Sequence, residues 1–133
     1  MRVLLMGNNK LATYVMEMLL EDQHKVFYLS ICPPLPYPIL EVAGEATVIV
    51  SNGSLMEDLR QASVDKVSLF LAFCDDDSAN AMAAQIASHI FHVPKVLCLI
   101  KDLRRSQVYR ELGLEVVSPN QLILDEARAA LQE

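Results

Sequence analysis

Arg2-Val-Leu-Leu-Met-Gly7-Asn-Asn-Lys-Leu-Ala12 decides how this chain folds. An apolar run ends at Gly7, and a helical pattern follows over 11–21, in which Leu11, Val15, Met18 and Leu19 are expected to share the buried face. A second apolar run, Lys25-Val-Phe-Tyr-Leu29, comes next. Strand, turn, helix and strand in this order open a dinucleotide-binding unit, whose fingerprint reads G-x-G-x-x-G/A with an acidic residue about 20 positions on. Gly7 and Ala12 fill the first and last positions of that pattern, Asn9 stands at the second Gly, and Ser30 stands where the acid belongs.

Each position carries a physical expectation. Gly7 permits a tight bend out of the strand. The first N–H groups of the next helix then point at any bound phosphate, and the helix dipole adds attraction. Asn9 tolerates positive φ, so the turn is expected to keep its shape, although the side chain takes up space that a Gly leaves free. Lys10 opposes the macrodipole preference, which suits a nearby anion. Ser30 offers one hydrogen bond where a carboxylate would accept both ribose hydroxyls, and no Arg follows for a 2′-phosphate, so low NAD or NADP affinity is expected. Both a nucleotide or phosphate ligand and an empty Rossmann-like turn are compatible with these residues.

Outward from this unit, further apolar runs at 47–50, 67–71, 96–100 and 115–117 alternate with helix-like segments. Near-continuous Val, Ile, Leu and Phe suits strands covered on both faces. The expected architecture is α/β: a Rossmann-like, doubly wound parallel sheet of six strands in the order 3-2-1-4-5-6, closed by a C-terminal helix. Ser54 and Glu57 form a capping-box pattern for a short helix over 54–61. The longest helix is expected over 75–91, with Ala79, Met82, Ala83, Ile86 and Ile90 buried. A helix over 103–112 stops at Gly113. Ser118 and Pro119 start the last helix, whose Leu122, Ile123, Ala127, Ala130 and Leu131 need a surface to cover. Pro33, Pro34, Pro36 and Pro38 rule out a normal helix in the second crossover, leaving extended chain and a short turn at 39–43.

The 133 residues suffice for one domain with a core, and a hydrophobic content of 53% places the chain among globular proteins. No apolar stretch approaches the roughly 18 residues of a membrane helix, and the N-terminus lacks signal-peptide features. A net charge of −6, with only Lys101, Arg104 and Arg105 clustered, argues against a nucleic-acid partner. Cys32, Cys74 and Cys98 have no metal-ligand spacing and suit a reducing, cytoplasmic compartment.

Ala72-Phe-Cys-Asp-Asp-Asp-Ser78 follows the fourth strand and should face the first turn, because open sheets bind ligands at strand carboxyl ends near the switch point. Asp75, Asp76 and Asp77 are read as helix capping and dipole complementation, with a divalent metal site as the sharper alternative. Cys74 at a helix start is a candidate reactive thiol, which the three neighbouring carboxylates oppose. His89 and His92 fit a helix C-terminus, and Met6, Met16, Met18, Met56 and Met82 fit a core. The chain has no G-x-S-x-G and no Tyr-x-x-x-Lys, and no catalytic set is expected.

Met1–Gly7, Ser51-Asn-Gly-Ser54, Asp75-Asp-Asp77 with Asn80, Val93-Pro-Lys-Val96 and Glu111-Leu-Gly-Leu-Glu-Val-Val-Ser-Pro119 together resemble the RCK N-terminal domain, also called the KTN or TrkA-N domain, of bacterial and archaeal potassium channel and transporter regulators. The resemblance implies one domain over 1–133 without that family's C-terminal domain. It implies an adenine nucleotide as ligand: NAD(H), ATP/ADP or AMP. The matching contact positions are Gly7, Asn9, Lys10, Leu11, Ser30, Ile31, Asn52, Gly53, Ala72, Phe73 and Cys74. Phe73 and Cys74 replace a small Thr-Gly-like pair, and Leu99 falls where many members carry a strand-five Arg. The resemblance further implies a homodimer or larger ring through the C-terminal crossover helix, a membrane transporter subunit as partner, and a place at the cytoplasmic face without membrane insertion. The expected role is nucleotide-sensing regulation of a Trk-, Ktr- or Kef-type potassium system. A dimerisation domain with a degenerate pocket, and the cofactor half of an oxidoreductase, are the alternatives.

Overall fold

The computed structural model describes residues 1–31 and 44–132. Six strands form one all-parallel sheet: β1 (Arg2–Gly7), β2 (Lys25–Ser30), β3 (Thr47–Val50), β4 (Leu69–Ala72), β5 (Lys95–Leu99) and β6 (Val116–Val117). Their order is β3-β2-β1-β4-β5-β6, as the alternating pattern requires. The helices are α1 (Lys10–Glu21), α2 (Leu55–Gln61), α3 (Asp77–Gln85), α4 (Leu103–Glu111) and α5 (Pro119–Leu131). The prolines of the second crossover, the turn expected at 39–43, and Cys32 lie outside the described residues. Among the described residues no helix is long and apolar enough to cross a membrane.

Burial on both faces explains the continuous apolar strands. Leu4, Met6, Leu29, Phe70 and Ala72 point to one side and pack with Leu59, Ala83 and Ala87. Val3, Leu5, Val26, Tyr28 and Leu71 point to the other and pack with Ala12, Met16 and Leu19. At about 25 cal/mol per Å² of apolar area, this double coverage is the main term holding the fold.

Two helix faces differ from expectation. In α1 the buried residues are Ala12, Thr13, Met16 and Leu19, while Leu11 and Met18 are exposed. Ala12 is pressed against Gly7, and that contact turns the helix so that positions i, i+4 and i+7 from Ala12 face the sheet. The long helix expected over 75–91 instead starts at Asp77 and widens into a π turn over Ile86–Ile90, with Phe91 N–H bonding Ile86 O at 3.2 Å. Its buried side chains are Asn80, Ala81, Ala83, Ala84 and Ala87, whereas Met82 and Ile90 are exposed. The small alanines let the helix lie close to the sheet, and this selects its buried face over the larger Met82. Of the methionines expected in the core, Met6 and Met16 are buried, Met56 is half-buried, and Met18 and Met82 are exposed.

Gly113 ends α4 at φ +93°, where a side chain would be strained. Ser118 caps α5, its hydroxyl accepting from Gln121 N–H at 3.3 Å, with Pro119 in the first turn. No residue of α5 is buried, so its apolar face is left uncovered by the described residues.

Candidate functional site

Parallel pairing brings the carboxyl ends of four strands to one rim. Gly7 lies opposite Ser30, Ser30 opposite Val50, and Met6 opposite Ala72. Two backbone bonds extend this alignment into the loops: Phe73 N–H to Met6 O at 2.9 Å, and Ser51 N–H to Ser30 O at 2.7 Å. The predicted positions in the first turn, at the end of β2, in the β3–α2 turn and after β4 therefore converge there. Lys10 and Leu11 are exposed at the start of α1.

The first turn is built differently from expectation. Asn9 has φ −142° and ψ 177°, so it is extended and not left-handed. It is the N-cap of α1: its Oδ1 accepts from Ala12 N–H at 2.9 Å. Its Nδ2 donates to Phe73 O at 3.2 Å and to Asp75 Oδ1 at 2.8 Å. Gly7 is required for space: a Cβ there would stand 2.6 Å from Ala12 Cβ.

Buried hydroxyls lie near this turn. Among the described residues, Ser30 Oγ, Tyr28 Oη and Thr13 Oγ1 make no hydrogen bond. Tyr28 Oη would be 3.5 Å from a Cβ on Gly7, directly beneath the bend. Burial, and then the neighbouring Cys74 thiol, push the Tyr28 phenol well above its ordinary range, so it stays a neutral donor.

The β3–α2 turn depends on a residue that sequence reasoning passed over. Ser54 occupies the N-cap position of α2, yet its side chain makes no capping bond, and the capping box with Glu57 is not formed. Buried Asp58 organises the turn instead. Its Oδ2 accepts from Ser51 Oγ, and its Oδ1 accepts from Asn52 N–H at 2.9 Å. Gly53 follows at φ +101°. In sequence Glu57 and Asp58 look alike; only the rotation of α2 against β3 brings the second inward.

The three aspartates divide their roles. Asp76 caps α3, accepting from Ala79 N–H at 3.1 Å, as expected. Asp77 accepts from the N–H groups of Lys101 (2.8 Å) and Asp102 (3.1 Å), tying α3 to the loop after β5. Asp75 pairs with Lys101 Nζ at 2.9 Å, and its N–H donates to Asn8 Oδ1 at 3.0 Å. Lys101, and then Asn9, hold the Asp75 carboxyl below the usual carboxylate range. Among the described residues no group of three or more His, Cys, Asp or Glu could hold a metal ion.

Asn80 ties the end of β4 to the end of β5. Buried in α3, it donates to Cys74 O at 2.9 Å and Leu99 O at 2.8 Å, and accepts from Cys74 N–H at 3.0 Å. Cys74 Sγ also lies 3.0 Å from Asn80 Oδ1. Burial pushes the Cys74 thiol up, and the carboxylates of Asp76 and Asp75 add to the shift. The helix-start thiol is therefore a buried donor, in line with the opposing carboxylates and not with the reactive alternative.

A cavity of about 210 Å³ opens on this rim between Ile31, Ser51, Gly53, Leu55, Asp58 and Ala79. A larger recess of about 420 Å³ lies at the opposite end, between Leu20, Gln23, His24, Lys25, Val26 and Glu45, away from the converging turns.

Comparison with known proteins follows the same outline. The family model of the TrkA-N domain matches residues 3–119. A Trk system potassium uptake protein TrkA of Streptomyces coelicolor is 26% identical over 118 residues, covering 89% of this chain and 52% of that protein. The chain spans about half the length of the curated relatives it matches. Among solved structures, the TrkA-N domain of the Escherichia coli inner membrane protein ybaL superposes with TM-score 0.76 at 14% identity, covering 98% of this chain and 94% of that one. The Shewanella denitrificans Kef CTD, in its AMP-bound form, superposes with TM-score 0.75 at 15% identity, covering 100% and 83%.

Proposed function

The chain belongs to the TrkA-N domain family, and from that premise we propose that it is a regulatory domain of a potassium transport system that senses an adenine nucleotide. The observation carrying this proposal is the converging rim: the N-terminus of α1, the Ser30 hydroxyl, unpartnered among the described residues, and the Ile31–Gly53 cavity stand together at the strand ends beside the switch point between β1 and β4. The nucleotide seen with the Kef relative, and the potassium-uptake name of the TrkA relative, support the assignment of ligand class and process.

Residues 1–133 act in this proposal as one domain on the cytoplasmic side of a membrane transporter. Gly7, Asn9, Lys10, Leu11, Ser30, Ile31, Asn52, Gly53, Ala72, Phe73 and Cys74 frame the nucleotide site. In this reading Lys10, exposed at the start of α1, attracts phosphate, and Ser30, buried at the end of β2, meets the ribose once the ligand uncovers its hydroxyl. The uncovered face of α5 joins a second copy in a dimer or a ring. Ligand at the strand ends then changes the geometry of that assembly, and the partner transporter reads the change.

Melting the purified chain with AMP, ADP, ATP, NAD⁺ and NADH tests the ligand claim. A ligand at 100 times its dissociation constant should add about 2.7 kcal/mol of stability. No shift with any of the five would remove nucleotide sensing. It would favour a dimerisation domain with a degenerate pocket, a reading that the Asn9 bonds across the rim already support.

A further inference from the structure

Resting on the nucleotide assignment above, we propose that this crevice takes an adenine mononucleotide and rejects dinucleotides, because Asn9 and Asp75 close the passage between β1 and β4. In a doubly wound sheet, a dinucleotide lays its two halves on either side of the switch point, with its pyrophosphate crossing over the first turn. A Gly at the second fingerprint position leaves room for that crossing. Here the position is Asn9, and its side chain spans the gap to Phe73 O (3.2 Å) and Asp75 Oδ1 (2.8 Å).

Asn8 closes the same gap from the neighbouring position, accepting from Asp75 N–H at 3.0 Å. Lys101 Nζ, 2.9 Å away, holds the Asp75 carboxylate in place. A pyrophosphate would have to break these bonds and approach a carboxylate, and like charges brought together at an interface are strongly unfavourable. The two amides and the acid thus form a latch built from the chain's own side chains.

The space on each side of the latch agrees with this selectivity. The cavity of about 210 Å³, between Ile31, Ser51, Gly53, Leu55 and Asp58 of the β2–β3 side and Ala79 of α3, is smaller than the roughly 300–1,000 Å³ usual for ligand pockets and leaves less room for two nucleosides than for one. The buried Ser30 hydroxyl, without a partner among the described residues, ends β2 on the β2–β3 side. On the β4 side, Phe73 and Cys74 are buried, and Cys74 is held by Asn80. A second nucleoside would have to displace them.

Calorimetric titration of the full chain with AMP and with NAD⁺ tests the latch. AMP should bind at least about tenfold more tightly than NAD⁺, a difference of about 1.4 kcal/mol. In the Asn9→Gly/Asp75→Ala double variant the ratio of the two affinities should shift toward NAD⁺ by about the same factor. Asp75→Asn removes the charge but keeps an acceptor for Asn9, so it should shift the ratio in the same direction even if the double variant fails to fold. NAD⁺ binding to the unaltered chain as tightly as AMP would overturn the latch and leave nucleotide sensing intact. An unchanged ratio in Asp75→Asn and in a folded double variant would also overturn the latch. Binding of neither ligand to any of the proteins would overturn the latch, and the melts with all five nucleotides would then decide nucleotide sensing separately.

Discussion

Gly7 shows how a single absent methyl group shapes the site. A Cβ at that position would stand 2.6 Å from Ala12 Cβ, a distance that two carbons cannot share. Gly7→Ala must therefore push the start of α1 away from the sheet, and overpacking of this kind costs about 1–3 kcal/mol. A thermal melt followed by circular dichroism should show a lowered midpoint, and an unchanged midpoint would mean that Ala12 moves aside freely. The small residue at Ala12 was legible in the fingerprint, but the reason for Gly7 was not. Asn9 tolerates left-handed backbone, yet the structure uses it extended, as a helix cap. Both conformations satisfy the same string of letters; contact with Phe73 and Asp75, more than 60 positions away, selects between them.

At the scale of elements, α5 is the least settled by its own chain. Its start is well determined by the Ser118 cap and Pro119, yet an isolated helix of 13 residues is marginal in water. Leu122, Ile123, Leu124 and Leu131 are all exposed, from 44% to 86%. If this face joins a second copy, Leu122→Asp together with Ile123→Asp should convert a dimer or ring into monomer, as read by light scattering after size exclusion. The melting midpoint of the resulting monomer should change little, because neither side chain is buried in the chain. A wild-type chain that is already monomeric at high concentration would remove the assembly proposal. The buried faces of α1 and α3 carry a related lesson. Periodicity located both helices, but small residues pressed against the sheet set their rotation, and periodicity weighs size poorly.

Across the whole molecule, the doubly covered sheet makes thiol chemistry a reporter of unfolding. Burial, followed by the carboxylate of Asp77 and the thiol of Cys74, pushes Cys98 up to about 12. Burial raises Cys74 as well. The thiolate is the reactive form, so both groups should stay protonated and unlabelled at pH 8 in the native protein. Their ordinary pKa, about 8.5, returns on unfolding, and alkylation should then proceed. Peptide mass spectrometry across a urea series should show Cys74 and Cys98 becoming labelled together at the unfolding transition. Fast labelling of Cys74 in native buffer would contradict the buried, Asn80-bound thiol seen at the rim.

The sequence by itself determined the order of elements, the parallel sheet and the place where its strands end. Each of these follows from local quantities: hydrophobic runs, helix caps and turn residues that act within a few positions. Only the tertiary structure decided what the rim offers a ligand. Asp58 rather than Glu57 entering the β3–α2 turn, Asn80 joining β4 to β5, and Asn9 reaching Asp75 all depend on side chains that meet after the sheet has formed. Hydrogen bonds extend barely 3 Å, and the sequence holds no measure of which distant groups will come within that reach.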